Sequence, residues 1–227
     1  MSRILLLINL LIVFLSYSQE NERKIPTDSL FREDQFYFSV TYNLLRNTPS
    51  GYSQYSFSSG LTFGFLRDIP FSKNRDWAIG LGLGYSYNDI KHNLKIANLE
   101  SSESNVYSID DSYNKSKLRL HYVELPLEIR WRNASYESHK FWRIYTGFKV
   151  SYLFASKSIF ESNTESYNIK NSNELTKLQY GPYLSVGYNT INLYAYYGLK
   201  SNFDNVKMES RDLELNSFNV GFIFYIL

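Results

Sequence analysis

The sequence predicts an all-β chain, folded as a transmembrane antiparallel up-and-down β-barrel of about eight strands. Three observations lead there. Apolar residues recur at every second position in eight separate stretches, the side-chain period of a strand with two different environments. The connections between these stretches alternate between long and short, as in barrels with long loops at one end and tight turns at the other. Aromatic residues make up 18% of the 227 residues, with 21 Tyr and 16 Phe, a composition that favours strands.

The first segment is not part of this pattern. Arg3 is followed by an apolar run over 4–15, broken only by Asn9, with the small residues Ser16 and Ser18 behind it. This is the layout of a cleaved export signal over 1–18. The run is too short for a spanning helix, which needs about 20 residues. No later stretch supplies one, so strands must do the spanning. Residues 19–34 are polar, contain Pro26, and are expected to form a periplasmic linker ahead of a barrel domain over 35–227.

Stretch 35–44 places Phe36, Phe38, Val40, Tyr42 and Leu44 on one face. Stretch 57–66 does the same with Phe57, Leu61, Phe63 and Phe65. In 77–87, Trp77, Ile79, Leu81 and Leu83 oppose Ala78, Gly80, Gly82 and Gly84. Stretch 118–131 has Val123, Leu125, Leu127, Ile129 and Trp131 against Glu124, Pro126, Glu128 and Arg130. Leu118 and Leu120 fall out of phase there, which predicts a bulge near Tyr122. Stretch 141–156 sets Trp142, Ile144, Phe148 and Val150 against Arg143, Tyr145, Gly147 and Lys149. Stretches 178–188, 192–199 and 218–226 complete the set.

The faces can be assigned. The non-apolar face is mostly Gly, Ser, Ala, Thr, Asn and Tyr, a poor covering for a water-soluble protein, and eight bulky apolar faces do not fit inside an eight-stranded barrel. Lipid therefore lies outside, and a polar, filled lumen inside. About 10 residues at ~3.3 Å each, tilted ~45°, span ~23 Å, near the ~25 Å apolar band of such barrels. The glycine-lined third strand is expected to face Tyr194 and Tyr196 of the seventh across the lumen. Trp77, Trp131 and Trp142 stand beside short turns, as one interfacial aromatic belt. Both termini are then periplasmic.

The inward charges Glu124, Glu128, Arg130, Arg143 and Lys149 are the main candidate site. Pairing Trp131 near Trp142 puts Glu124 opposite Lys149, Glu128 opposite Tyr145, and Arg143 diagonal to Glu128. One reading is an ion relay or a paired-carboxylate acid/base site. The other is a salt-bridged plug, since buried charges are normally paired. His92 and His121 are expected to approach each other at the outer rim near Asp89, Asp110, Asp111 and Ser112, but no spacing fixes a catalytic geometry. His139 stands apart. No spacing suggests a metal site or a cofactor, and the glycines of the third stretch lie within a strand rather than in a phosphate loop. There is no Cys, which excludes disulfides and thiol chemistry. A net charge of +2 does not suggest a nucleic-acid binder. Residues 99–117 are acidic and Ser-rich and read as a solvated loop.

Three stretches carry a resemblance: FGFLRDIPFSKNRDWAIGLGLGYSY over 63–87, HYVELPLEIRW over 121–131 and FWRIYTGFKVSYLF over 141–154, with NVGFIFYIL as a barrel ending. The chain resembles the PorT-like family of small outer-membrane β-barrel proteins of Bacteroidetes. The resemblance implies an integral, non-enzymatic outer-membrane barrel in contact with lipid, associated with type IX protein secretion. It would contact secretion-machinery proteins through its loops or tail. A structural or surface-interaction barrel, or a narrow channel, is the alternative. The chain ends in Leu227, whereas a typical barrel-insertion signal ends in an aromatic residue.

Overall fold

The structure is a computed structural model that describes residues 34–72, 74–98, 105–133 and 142–226. The expected signal over 1–18, all of the linker except Asp34, and His139, Phe141 and Leu227 lie outside the described residues.

Eight antiparallel strands close on themselves. They are β1 (Gln35–Arg46), β2 (Ser59–Pro70), β3 (Trp77–Lys91), β6 (Tyr113–Arg132), β7 (Trp142–Ser162), β9 (Leu178–Tyr188), β10 (Ile191–Ser201) and β13 (Asn216–Ile226). Each pairs with the next in sequence, and β13 pairs back onto β1, so no edge is left open. Short strands decorate one end: β4 (Leu94–Ala97) with β5 (Val106–Ile109), β8 (Ser166–Lys170) against β7, and β11 (Lys207–Met208) with β12 (Arg211–Asp212).

The face assignment from the sequence holds. Phe38, Leu83, Leu127, Phe148, Leu193 and Phe222 all point outward and are exposed, while Tyr37, Glu128, Tyr145, Tyr194 and Tyr225 are buried inside. A water-soluble protein does not surround itself with such a band; a lipid-facing wall does.

The tight end has short connections. Tyr188 and Ile191 pair across a two-residue turn, in which Asn189 takes a φ of 57°. Asn tolerates this left-handed geometry better than most residues. Trp77 pairs with Trp131 at this end, and the Trp142 ring lies 5.7 Å from that of Tyr188.

The long-loop end differs from the expected solvated loops. β6 and β7 run for 20 and 21 residues, well beyond the ~10 needed to span. The predicted break in register is present, between His121 and Tyr122. The extra residue, however, is Phe154 on β7, not one on β6. Alternation along β6 is unbroken, so Leu118 and Leu120 share the inward face of Tyr122 and Glu124. They are in phase with the lumen because above Tyr122 its filling changes from polar to apolar. There they join Leu94 and Ile96 of β4, Tyr107 of β5, Phe203 and Leu215 in one buried cluster. The loops thus cap the barrel with a core of their own.

Candidate functional site

The lumen carries the first candidate site. β6 supplies Glu124, Glu128, Arg130 and Arg132 from inward positions, and β7 supplies Arg143 and Lys149. Lys149 Nζ lies 3.0 Å from Glu124 Oε1, which also accepts from Ser86 at 2.8 Å. Lys149 sits over the Tyr196 ring at 4.4 Å. Glu128 accepts from Arg130 Nε at 2.7 Å, from Tyr183 at 2.9 Å and from Tyr225 at 3.3 Å. The Arg130 guanidinium lies over the Tyr145 ring at 4.9 Å.

The structure brings these residues together in a register different from the expected one. Arg130, not Glu128, stands opposite Tyr145, and Glu124 is opposite Ser151. Glu124 reaches Lys149 diagonally. Arg143 is not a neighbour of Glu128. It lies opposite Arg132, nearer the tight end, and donates to the backbone carbonyl of Asn189. The glycine strand is also filled differently. A Cβ on Gly64 would lie 2.6 Å from the Tyr37 ring, one on Gly82 would lie 2.8 Å from Leu66, and one on Gly84 would collide with the Tyr37 hydroxyl. Tyr37 leans across β2 to cover β3. Tyr194 packs instead against Tyr183, 5.8 Å between centroids.

Two members of the network escaped the sequence reading. Asp68 accepts from Arg130 Nη1 at 3.0 Å and from Arg132 Nη1 and Nη2 at 3.0 and 2.9 Å, with all three side chains fully buried. The inward alternation of β2 continues past Leu66 to Asp68, and that was the available signal. The voids in this lumen hold about 30 Å³ beside Glu124 and Lys149, and about 10 Å³ beside Tyr37 and Glu128. The first has room for a water molecule.

The rim is the second candidate site. Polar side chains tie its loops together. Asn93, fully buried, donates to the Gly51 carbonyl and to Asp111, both at 2.8 Å, and accepts from Ser53 N at 2.8 Å. Glu174 accepts from Tyr107 at 2.6 Å and from Asn105 N at 3.0 Å, joining two loops. Lys95 bridges Asp110 and Glu165, and the Lys95 ammonium is held above its ordinary pKa by the Glu165 carboxylate. His92 accepts from Leu94 N at 3.0 Å, and burial lowers its pKa to about 4.

His92 and His121 do not come together as expected. His92 is buried inside the rim, whereas His121 lies on the outward face, 2.7 Å from the Tyr85 hydroxyl. Asp89 pairs with Arg119, and Asp110 accepts from Ser112. Among the described residues no cluster of metal-ligating side chains occurs.

The family comparison agrees with this geometry. A family model described as the outer membrane protein beta-barrel domain matches residues 17–204. Among solved structures, the chain is similar to Ail, the attachment invasion locus protein of Yersinia pestis, at 15% identity and a TM-score of 0.41. That match covers 87% of this chain and all of Ail. No curated protein matches the sequence. With most of its length inside the family model, and a closed barrel with an apolar outer wall, the chain belongs to the outer-membrane β-barrel protein family.

Proposed function

We propose that this is a non-conducting, non-enzymatic outer-membrane barrel that acts through its capped rim, as a structural or surface-interaction protein. One observation carries the reading. The lumen is filled by a tyrosine and ion-pair plug, while the opposite investment is made at the rim, where four loops share a packed apolar core. A plug leaves no path for solute, and a cored rim presents a fixed surface. In this reading the long-loop end faces outward, both termini are periplasmic, and Trp77, Trp131 and Trp142 anchor the inner interface. Glu124, Glu128, Arg130, Arg143 and Lys149 serve as structure. The resemblance to PorT-like proteins narrows the role to an accessory of type IX secretion, with the rim or residues 19–34 contacting secretion-machinery proteins.

The test has two arms. Single-channel recording in planar bilayers is expected to show no large, persistent conductance; a stable open level overturns the plug. Replacing 92–112 and 202–215 by short turns is expected to leave a folded barrel that has lost its surface phenotype, read as adhesion, envelope integrity or secretion of type IX cargo. A trimmed barrel that supports all three as well as the parent overturns the rim as the working surface.

A further inference from the structure

The outward face of β3, β6, β7 and β8 carries a charge pattern that the rim core does not use. Two adjacent cross-strand rows define it. The first runs Asp89, Arg119, Lys157, Lys170, and the second begins Lys91, Lys117. Residues opposed in this way have Cβ atoms about 4.5–5.5 Å apart. Three of the contacts oppose like charges: Lys91 with Lys117, Arg119 with Lys157, and Lys157 with Lys170. The rows hold five cations and one carboxylate, and that carboxylate is taken by Arg119 at 3.2 Å. The row above is neutral, since Lys115 pairs with Glu161 at 2.8 Å. Among the described residues the four lysines have no acidic partner. Opposed like charges destabilise a sheet, so this face is at its best with an anion on it.

Its height identifies the anion. The row directly below holds Tyr87 and His121, with Tyr85 and Phe154 beside them, an aromatic group of the kind found at a membrane boundary. Two residues of tilted strand rise ~5 Å along the membrane normal. The cationic rows therefore stand roughly 5 and 10 Å above the boundary, within the headgroup layer. Below, the outward face of β1–β3 holds a groove of about 620 Å³ lined by Phe36, Phe38, Phe63, Phe65, Leu83 and Tyr85. Tyr85, Tyr87, Asp89 and Lys91 run along β3 from the groove to the cations.

We propose that this face binds a phosphorylated glycolipid of the outer leaflet, its phosphates on Lys91, Lys117, Lys157 and Lys170 and an acyl chain along the phenylalanine groove. The long-loop end must face outward, as in the function proposed above. The binding test does not depend on that orientation, because a detergent-solubilised barrel presents both ends. It does not depend on any protein partner either, so its failure is separate from failure of rim trimming.

The full chain in neutral detergent is titrated with bisphosphorylated lipid A, with its dephosphorylated form, and with inorganic phosphate, and binding is read by native mass spectrometry and thermal shift. A cation near a membrane surface contributes about fivefold in affinity to anionic lipid. Removing all four lysines (Lys91→Gln, Lys117→Gln, Lys157→Gln, Lys170→Gln) is expected to weaken the bisphosphorylated lipid on the order of a few hundredfold, and Lys91→Gln with Lys117→Gln alone by about 25-fold. The lipid-free variants are expected to melt no lower than the parent, since each loses a repulsion. Equal affinity of the parent for both lipids overturns the proposal, as does undiminished preference in the fourfold variant. Stabilisation by inorganic phosphate equal to that by lipid would reduce the face to a general anion site and overturn the lipid.

Discussion

Asp68→Ala probes the plug at its most concentrated point. Asp68 accepts three hydrogen bonds from two guanidinium groups, at 2.9–3.0 Å, with no solvent exposure on any of the three side chains. Arg130 would retain Glu128 at 2.7 Å, and Arg132 would keep its Nε bond to the Arg75 carbonyl but lose both of its bonds to Asp68. Removing one partner of a buried pair costs about 3–5 kcal/mol, because the remaining charge stays desolvated. The loss should appear in urea titration of the micelle-folded barrel, followed by tryptophan fluorescence and by gel mobility of the unheated protein. Arg132→Met in the same background removes the guanidinium that Asp68 faced. The double variant should then be more stable than the sum of the single changes predicts by about 1–3 kcal/mol. A cost below about 1 kcal/mol for Asp68→Ala, or strict additivity with Arg132→Met, would refute a dry, ion-paired plug.

Leu83→Arg and Phe148→Arg place charge on the lipid face and should each cost about 2–4 kcal/mol in folding titrations if near the midplane; harmless changes would invert the faces. Gly84→Leu should destabilise the barrel by about 1–3 kcal/mol through collision with Tyr37, with partial recovery on adding Tyr37→Ala. Tyr37→Phe, by contrast, should be close to neutral in the same titrations, because that buried hydroxyl has no hydrogen-bond partner among the described residues. His92 binds protons less readily folded than unfolded, with a pKa lowered from 6.5 to about 4. The unfolded rim therefore takes up protons first on acidification. Rim stability should be complete above pH ~6.5 and fall as the pH drops toward 4, by roughly 3 kcal/mol, seen as faster protease cleavage of the rim loops and absent in His92→Gln.

The outward wall was legible in the sequence because a lipid-facing strand repeats every second residue over ten positions. The pairing of β6 with β7 was not. Anchoring Trp131 against Trp142 shifted the hairpin by two residues relative to the observed Trp131–Ile144 row. A slip of two moves every pair but keeps every side chain on its face. Hydrophobic pattern is blind to it, and Arg143 was misplaced for that reason. Asp68 and Arg132 stand at strand ends, where an inward charge resembles the start of a turn. The rim core was hidden differently. Leu94, Ile96, Phe203 and Leu215 are spread over loops with no shared period, and the polar residues that lock them, Asn93 and Glu174, resemble solvated loop residues.

Where charge is left uncompensated distinguishes the lumen from the outer face. Inside, Glu124, Glu128 and Asp68 each meet a cation within 3.0 Å, so each of these buried carboxylates has its counter-charge. On the outer face above Tyr87 and His121, five cations share one carboxylate. Both sets arise from the same strands: β6 turns Glu124 and Arg130 inward and Lys117 and Arg119 outward. The height along the strand at which outward aromatics give way to lysine therefore separates the balanced charges of the lumen from the unbalanced rows of the outer face. Both proposed roles lie at that level and above it, on the outer face and at the rim, rather than along the axis of the barrel.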